Sequence, residues 1–199
     1  MHSLKWKFEL LKSRYSLYFV IKKYEKLFSD LKFNRSFLNY EKVLMLIERM
    51  KVCVVEDKTF KEPFLWFDSG KKVLFYNPEI HPEKLTLRLG HELGHLICGH
   101  YTENAVYFKS FDRILTKKME RDADIVGYLC WIPTSYLNSI NEYGWDAEEI
   151  VKDLSNCDTD YQFLYQNLSA RLRIYKAYLK ADGEITKVQT MLRELTCCR

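Results

Sequence analysis

Two histidines four residues apart on one helix constrain this chain more than any other feature. They lie in the run Leu87-Arg88-Leu89-Gly90-His91-Glu92-Leu93-Gly94-His95-Leu96-Ile97-Cys98-Gly99-His100, which contains the pattern His-Glu-x-x-His. Residues four apart share one face of a helix, so His91 and His95 can each offer an imidazole nitrogen to one metal ion. The surrounding leucines predict a mostly buried helix, and buried histidines need partners, which a metal ion supplies.

The same pattern indicates the chemistry of a hydrolytic metal site. A Zn2+ ion bound by two histidines and a carboxylate keeps one coordination position open for water, lowers the pKa of that water to about 7 and polarises a substrate carbonyl. Glu92 follows the first histidine and is placed to take the proton of that water and deliver it to a leaving amine. Two histidines and a carboxylate also suit Mn2+ or another divalent metal. A structural helix without a metal is the competing interpretation.

A third metal ligand is expected from an acidic helix further along the chain. Glu120 and Asp124 are four residues apart and share a face, whereas Asp122 points elsewhere. Glu120 is therefore the favoured ligand, and Asp124 is expected to accept a hydrogen bond from the outer nitrogen of a ligating histidine. Asp122 is the alternative ligand. The competing explanation is a solvated acidic face that balances Lys117, Lys118 and Arg121.

The two stretches together resemble the ImmA/IrrE family of bacterial and phage metallopeptidases. In that family a His-Glu-Leu-Gly-His helix is followed by a helix of the form E-x-E-A-[ND]-x-F-A-x-x-L-L-x-P, and the run from Glu120 to Pro133 is similar to it. The likeness covers roughly residues 52 to 135. It departs from the family at Asp122, where Glu is usual, and at Gly127-Tyr128, where small residues such as Ala are usual.

The resemblance implies specific roles and a biological context. His91 and His95 would bind the metal, Glu120 would be the third ligand and Glu92 the base. The protein would be a regulatory protease that cleaves a transcriptional repressor in a bacterium or a mobile element. One alternative is a non-proteolytic, antitoxin-like module that binds a protein partner on the same fold. Another is a DNA-binding regulator with a structural zinc, which predicts salt-sensitive binding to duplex DNA.

The composition predicts an α+β fold that is mainly helical. Among 199 residues only 7 are Gly and 4 are Pro. We expect a helical segment over residues 1–50, a zincin-like metallopeptidase core over 51–135 and a helical region over 136–199, packed as one globular unit. Short β-rich runs are found at Val52–Val55, Phe64–Phe67 and Lys72–Tyr76. The last two flank a hairpin signal and predict a small antiparallel sheet.

Several boundaries outside the motif are also predicted from periodicity. Residues 3–30 are expected to form one amphipathic helix with a basic outer face, and Ser36 is expected to cap a helix that ends at Met50. Two separate C-terminal helices are expected over Asp160–Lys180 and Glu184–Leu195. His100 is out of register for a third histidine ligand, so we expect it to cap the motif helix or, alternatively, to lie near the site.

Three further features of the sequence indicate which partners the protein binds and which compartment it occupies. The first 51 residues carry 12 Lys and Arg against 5 Asp and Glu, but no recognisable DNA-reading motif, so direct DNA binding is the less favoured possibility. The six cysteines lack CxxC spacing and predict reduced packing residues; the vicinal pair Cys197 and Cys198 could bind metal or respond to redox, or lie in a frayed tail. No apolar run is long enough to span a membrane, so a cytoplasmic protein is expected.

Overall fold

A computed structural model describes residues 2–68, 70–100, 113–155 and 161–197 of the chain. Three helices precede a small sheet, and five described helices follow it. The elements are α1 (His2–Arg14), α2 (Ser16–Leu27), α3 (Tyr40–Arg49), β1 (Cys53–Glu56), β2 (Phe64–Asp68), β3 (Lys71–Tyr76), α4 (Pro82–Cys98), α5 (Arg113–Trp131), α6 (Thr134–Tyr143), α7 (Ala147–Leu154) and α8 (Tyr161–Cys197). The mainly helical α+β fold predicted from composition is therefore confirmed.

The sheet is mixed, so the prediction of a purely antiparallel sheet is wrong. The strand order is β1-β3-β2. β2 pairs with β3 in the antiparallel sense, as the hairpin signal predicted, but β1 pairs with β3 in the parallel sense, with Cys53 opposite Val73. The chain turns after β1, where Asp57 accepts a hydrogen bond from the backbone N–H of Thr59 at 2.9 Å, and then continues to the opposite edge of β3. No sequence pattern near β1 indicates that the chain passes from one edge of β3 to the other.

Helices α4 and α5 make the closest contact between described elements. A β-carbon added to Gly94 would lie 2.6 Å from the Cα of Ala123, and one added to Gly90 would lie 2.8 Å from the Cα of Gly127. Such distances are far shorter than any contact between side chains, so the two backbones touch directly. Around this contact lies a buried core that includes Leu89, Leu93, Val126 and Leu129. The Gly127 departure noted in the sequence is therefore a packing feature.

The N-terminal region forms two helices instead of the single predicted helix. The break lies at Tyr15, with φ −114° and ψ 37°. The Tyr15 hydroxyl donates to Glu184 at 2.9 Å, and the hydroxyl of Tyr18 donates to Asp182. These contacts to α8 fix the break in a way that helical periodicity cannot reveal. The predicted cap Ser36 is also wrong, because the Asn39 side chain accepts the backbone N–H of Lys42 at 3.2 Å and begins α3.

Helix α8 is continuous where two helices were predicted. Gly183 lies in the gap between the two predicted helices, yet Ala181 and Ile185 on either side of it are only 2% and 3% exposed. A glycine inside a helix costs about 1 kcal/mol relative to alanine. Burial of the flanking apolar side chains outweighs that cost, since fully burying one isoleucine contributes roughly 1.5–3 kcal/mol.

A buried polar network joins the N-terminal region to α8. Arg171 is fully buried and donates from Nε to the carbonyl of Ile132 at 2.7 Å and from Nη2 to the hydroxyl of Thr134 at 2.9 Å. Asn34 accepts the Thr134 N–H at 2.8 Å and donates to Glu25 at 2.5 Å. Burial lowers the pKa of Arg171 to about 10. The network fixes the C-terminal end of α5 against both the segment before α3 and α8.

The expectation that the cysteines pack in the interior is met in part. Cys130 is buried and Cys98 half-buried, but Cys53 is exposed and does not pack as predicted; all three are free thiols. The side chains of Cys197 and Cys198 lie outside the described part of the chain. Among the helices described, none combines the length and the apolar character that crossing a bilayer requires.

The contact between α4 and α5 gives a test with two glycines as a matched pair. Gly94→Ala should lower the free energy of unfolding by about 1–3 kcal/mol, because the new methyl group overlaps the backbone of Ala123. Gly183→Ala should raise it by up to about 1 kcal/mol, because nothing lies within 4 Å of the added methyl group. Urea unfolding followed by circular dichroism measures both. A Gly94→Ala protein at least as stable as the wild type would contradict the close contact.

Candidate metal centre

Three donor atoms from two helices converge on one point. The Nε2 atoms of His91 and His95 on α4 are 3.0 Å apart. A carboxylate oxygen of Glu120 on α5 lies 3.3 Å from the first and 3.5 Å from the second. Among the described residues, these are the side chains whose nitrogen, sulphur or carboxylate atoms form a group able to hold a metal ion.

The size of this triangle matches what a tetrahedral ion needs. Zn2+ binds nitrogen and oxygen at about 2.0–2.1 Å, which places tetrahedral ligands ~3.3–3.4 Å from one another. The three observed distances, 3.0, 3.3 and 3.5 Å, bracket that value. Two imidazoles and one carboxylate are also the donor set of zinc sites that leave the fourth position for water or substrate. The residues present therefore fit a divalent metal.

The exposed fraction of the side chains increases from one end of the cluster to the other. The His95 side chain is 2% exposed and that of His91 20%, whereas that of Glu120 is 40% exposed. His95 therefore lies at the closed end and Glu120 at the open end. Within the described part of the chain, the Glu120 side is therefore the more accessible side of the cluster.

The outer nitrogen of each histidine has a described partner. His91 Nδ1 donates to the carboxylate of Asp124 at 2.8 Å, which is the contact that the spacing of the acidic helix suggested for Asp124. His95 Nδ1 lies 2.9 Å from Nδ1 of His100. A neutral histidine whose Nε2 faces a metal carries its proton on Nδ1, so His95 donates and His100 accepts. His100 then holds its own proton on Nε2.

His100 is therefore a functional candidate that the sequence only partly indicated. The residue that caps α4 is Gly99, with φ 71°, and His100 adds to the cap through its backbone N–H, which bonds to His95 O, whereas its imidazole contacts that of His95. The alternative expectation, a position near the site, is confirmed by the 2.9 Å contact. The available sequence signal was the glycine before His100, because a glycine that ends a helix commonly brings the N–H of the next residue back to the last turn.

Electrostatics around His91 favour its protonated form when no cation is bound. Burial alone lowers the pKa of His91, but the hydrogen bond to Asp124 and the negative charges of Glu92, Asp124 and Glu120 outweigh burial and raise it. The negative charges that stabilise a proton at this position also stabilise a divalent cation. The field of the site is therefore that of a cation-binding site.

The two remaining acidic candidates occupy different places. Glu92 is 8% exposed and lies in α4 beside His91, outside the three-atom cluster. Asp122 is also outside the cluster; it lines a cavity of about 660 Å³ together with Tyr18 on α2 and Arg173 on α8. Burial raises the pKa of Asp122, while Lys118 and Arg121 lower it. The geometry thus favours Glu120 over Asp122 as the carboxylate that faces the histidines.

Comparison with known protein families agrees with this geometry. A peptidase family whose model is described as the IrrE N-terminal-like domain matches residues 47–173, which is more than half of the chain. The match includes α4 and α5 and extends beyond residues 52 to 135, which the motif resemblance covers. No curated protein and no solved structure matches the chain.

The choice between the two carboxylates can be tested by metal content. Glu120→Ala should reduce bound zinc from about one ion per chain to a small fraction, because it removes one of three donors. Asp122→Ala, two residues away on the same helix, is the matched control and should keep its zinc. Mass spectrometry of the native proteins gives the stoichiometry. Loss of zinc in Asp122→Ala alone would reverse the assignment.

The contact between His95 and His100 predicts a role in metal affinity. His100→Ala should weaken zinc binding by about 10–100-fold, because His95 loses the partner that fixes its tautomer and ring orientation. His81→Ala is the control, since His81 is exposed at the start of the same helix and its side chain makes no capping bond. Competition with a coloured chelator measures both affinities. Equal affinities would show that His100 does not support His95.

Proposed function

The chain belongs to the ImmA/IrrE-type family of metallopeptidases, and on that premise we propose that it is a zinc-dependent endopeptidase that cleaves a regulatory protein. One observation carries the proposal: two imidazole nitrogens and a carboxylate oxygen converge within 3.5 Å of one another on a buried pair of helices. The graded burial of the cluster further supports a site that admits substrate on one side.

The proposed chemistry divides between the cluster and Glu92. A zinc ion held by His91, His95 and Glu120 would polarise the scissile carbonyl and make water a nucleophile at neutral pH. Asp124 and His100 keep the imidazoles in the tautomer that presents Nε2 to the cation.

Glu92 is the proposed general base and acid. It follows His91 directly on α4, so its side chain leaves the helix beside the cluster without being part of it. Glu92 is only 8% exposed, so the helix holds this carboxylate next to His91 and away from most of the solvent. Glu92 takes the proton of the attacking water and passes it to the amine that leaves.

The sheet offers a docking edge for an extended substrate. In the order β1-β3-β2 both outer strands have one unpaired edge among the described residues. Lys61 and Glu62, just before β2, line the same cavity as His91, which favours β2 as the strand beside the site. A peptide that adds to this edge would be bound through its main chain, largely independently of sequence.

The substrate class is the next part of the proposal. Because the family consists of peptidases, the substrate is a protein, and the resemblance to the ImmA/IrrE type suggests a transcriptional repressor. Cleavage would relieve repression of stress genes or of a mobile element. Among the described residues, neither the small sheet nor the helices around the cluster resemble a motif that reads nucleic acid, and this supports a protein partner over DNA.

Glu92→Gln separates metal binding from cleavage. The variant should keep about one zinc per chain, because Glu92 is outside the cluster, and should lose cleavage by at least about 100-fold, because the base contributes 10²–10⁴-fold. The probes are unfolded fluorescent casein and a purified repressor encoded beside this protein's gene. Product bands identified by mass spectrometry are the readout, and a chelator should abolish them.

A matched control and a contradictory outcome complete this test. Glu142→Gln changes an exposed glutamate on α6 and should leave cleavage unchanged. Full activity of Glu92→Gln would exclude the proposed base. A zinc-loaded wild-type protein that binds the repressor without cutting it would favour the non-proteolytic binding module.

A further inference from the structure

A cavity of about 490 Å³ adjoins the metal cluster on its α4 side. Its walls come from α4, α5, α8 and the segment before β2. His91 and Asp124 form the end of the cavity at the cluster, and Tyr128 and Asn167 form one side, where the Tyr128 hydroxyl donates to Asn167 at 3.1 Å. Its volume is within the usual range for sites that bind small molecules or peptide segments.

The cavity floor is one face of α4. Lys84, Leu87, Arg88 and His91 all line it, and their spacing of three and four residues places them in one row along the helix. With a rise of 1.5 Å per residue, Lys84 lies about 10 Å and Arg88 about 4.5 Å along the helix from His91. An extended peptide advances about 3.3 Å per residue. The row therefore spans about three residues of a bound peptide.

The charges of the cavity are unbalanced. Arg88 forms an ion pair with Glu62 at 3.2 Å, and Asp124 is bonded to His91, so these two acids are already engaged. Lys61 and Lys84 also line the cavity, and within the described part of the chain neither forms an ion pair with its neighbours there. Lys84 instead lies 5.5 Å from the ring centroid of Phe163. Two cationic groups therefore face the cavity without a compensating carboxylate there.

From this arrangement we infer that the cavity is the specificity site for acidic substrate side chains. The site selects peptides that carry Asp or Glu within about three residues of the scissile bond, on the side that runs along α4. Leu87 and Phe163 cover the methylene groups of such a side chain, while Lys61 and Lys84 bind its carboxylate. The inference rests on the proposed peptidase function and specifies which substrate segment the site accepts.

The orientation of α4 strengthens the preference for acidic substrate side chains. Its N-terminal end begins at Pro82, and the lining positions from Lys84 to Arg88 occupy the first two turns. The N-terminal turns of a helix carry partial positive charge, which favours a nearby carboxylate. A basic substrate side chain would meet two lysines, an arginine and this partial charge together, so the same features disfavour it.

Peptide capture by the inactive protein tests the inference without requiring turnover. Zinc-loaded Glu92→Gln protein is immobilised and exposed to a chymotryptic digest of an unfolded bacterial proteome, and retained peptides are identified by mass spectrometry. Peptides rich in Asp or Glu should be enriched. Adding Lys61→Gln and Lys84→Gln should reduce that enrichment by roughly two- to five-fold per lysine, the range of a partly exposed charge pair. Adding Lys84→Glu should shift retention toward peptides with Lys or Arg.

The control keeps net charge equal to that of a single-lysine variant. Glu92→Gln with Lys26→Gln removes an exposed lysine of α2, which does not line the cavity, and should retain the original enrichment. Circular dichroism confirms that each variant is folded.

Each outcome decides the inference. Retention without acidic enrichment, enrichment unchanged by the lysine substitutions, or no retained peptide would overturn it. The proposed function fails separately, when the wild-type protein cleaves neither casein nor repressor. If cleavage occurs at sites with no flanking acid, the peptidase proposal stands and only the acidic specificity is wrong.

Discussion

The direct backbone contact between α4 and α5 is the constraint on which the rest of the structure depends. Gly94 faces Ala123, and Gly90 faces Gly127, so the two helices run in opposite directions with their axes close together. The side chains of the candidate metal centre follow the same order. His95 approaches Glu120, and His91 approaches Asp124. Larger residues at the contact would separate the helices and move the carboxylate away from the imidazoles, so helix packing and site geometry are a single property.

The rest of the fold stabilises the position of these two helices. Arg171 holds the carbonyl of Ile132 just after α5, and the same network continues through Thr134 and Asn34 to Glu25 on α2. Removing one partner of a buried charged network is costly, because the others lose their hydrogen bonds in a medium that water does not reach. The helices outside the motif therefore keep α5 at the depth and angle at which Glu120 faces the histidines.

The surroundings of the cluster are asymmetric in a way that suits hydrolysis. At the closed end His95 contacts a second imidazole, that of His100, whereas the more open His91 contacts the carboxylate of Asp124. A cavity with basic lining adjoins the open histidine, and acidic groups surround the cluster itself. A cation is thus favoured at the cluster and an anion a few residues away along α4.

The sequence by itself determined those features that depend on a single helix or a single hairpin. The spacing of His91 and His95 placed their nitrogens on one helical face, and the hairpin signal correctly paired β2 with β3. Backbone hydrogen bonding fixes such periodicities locally. Only the tertiary structure decided that Glu120 and not Asp122 faces the histidines, that His100 supports His95, and that β1 pairs parallel to β3. Each of these depends on how closely two distant segments approach, which is set by the burial and small side chains of both segments together.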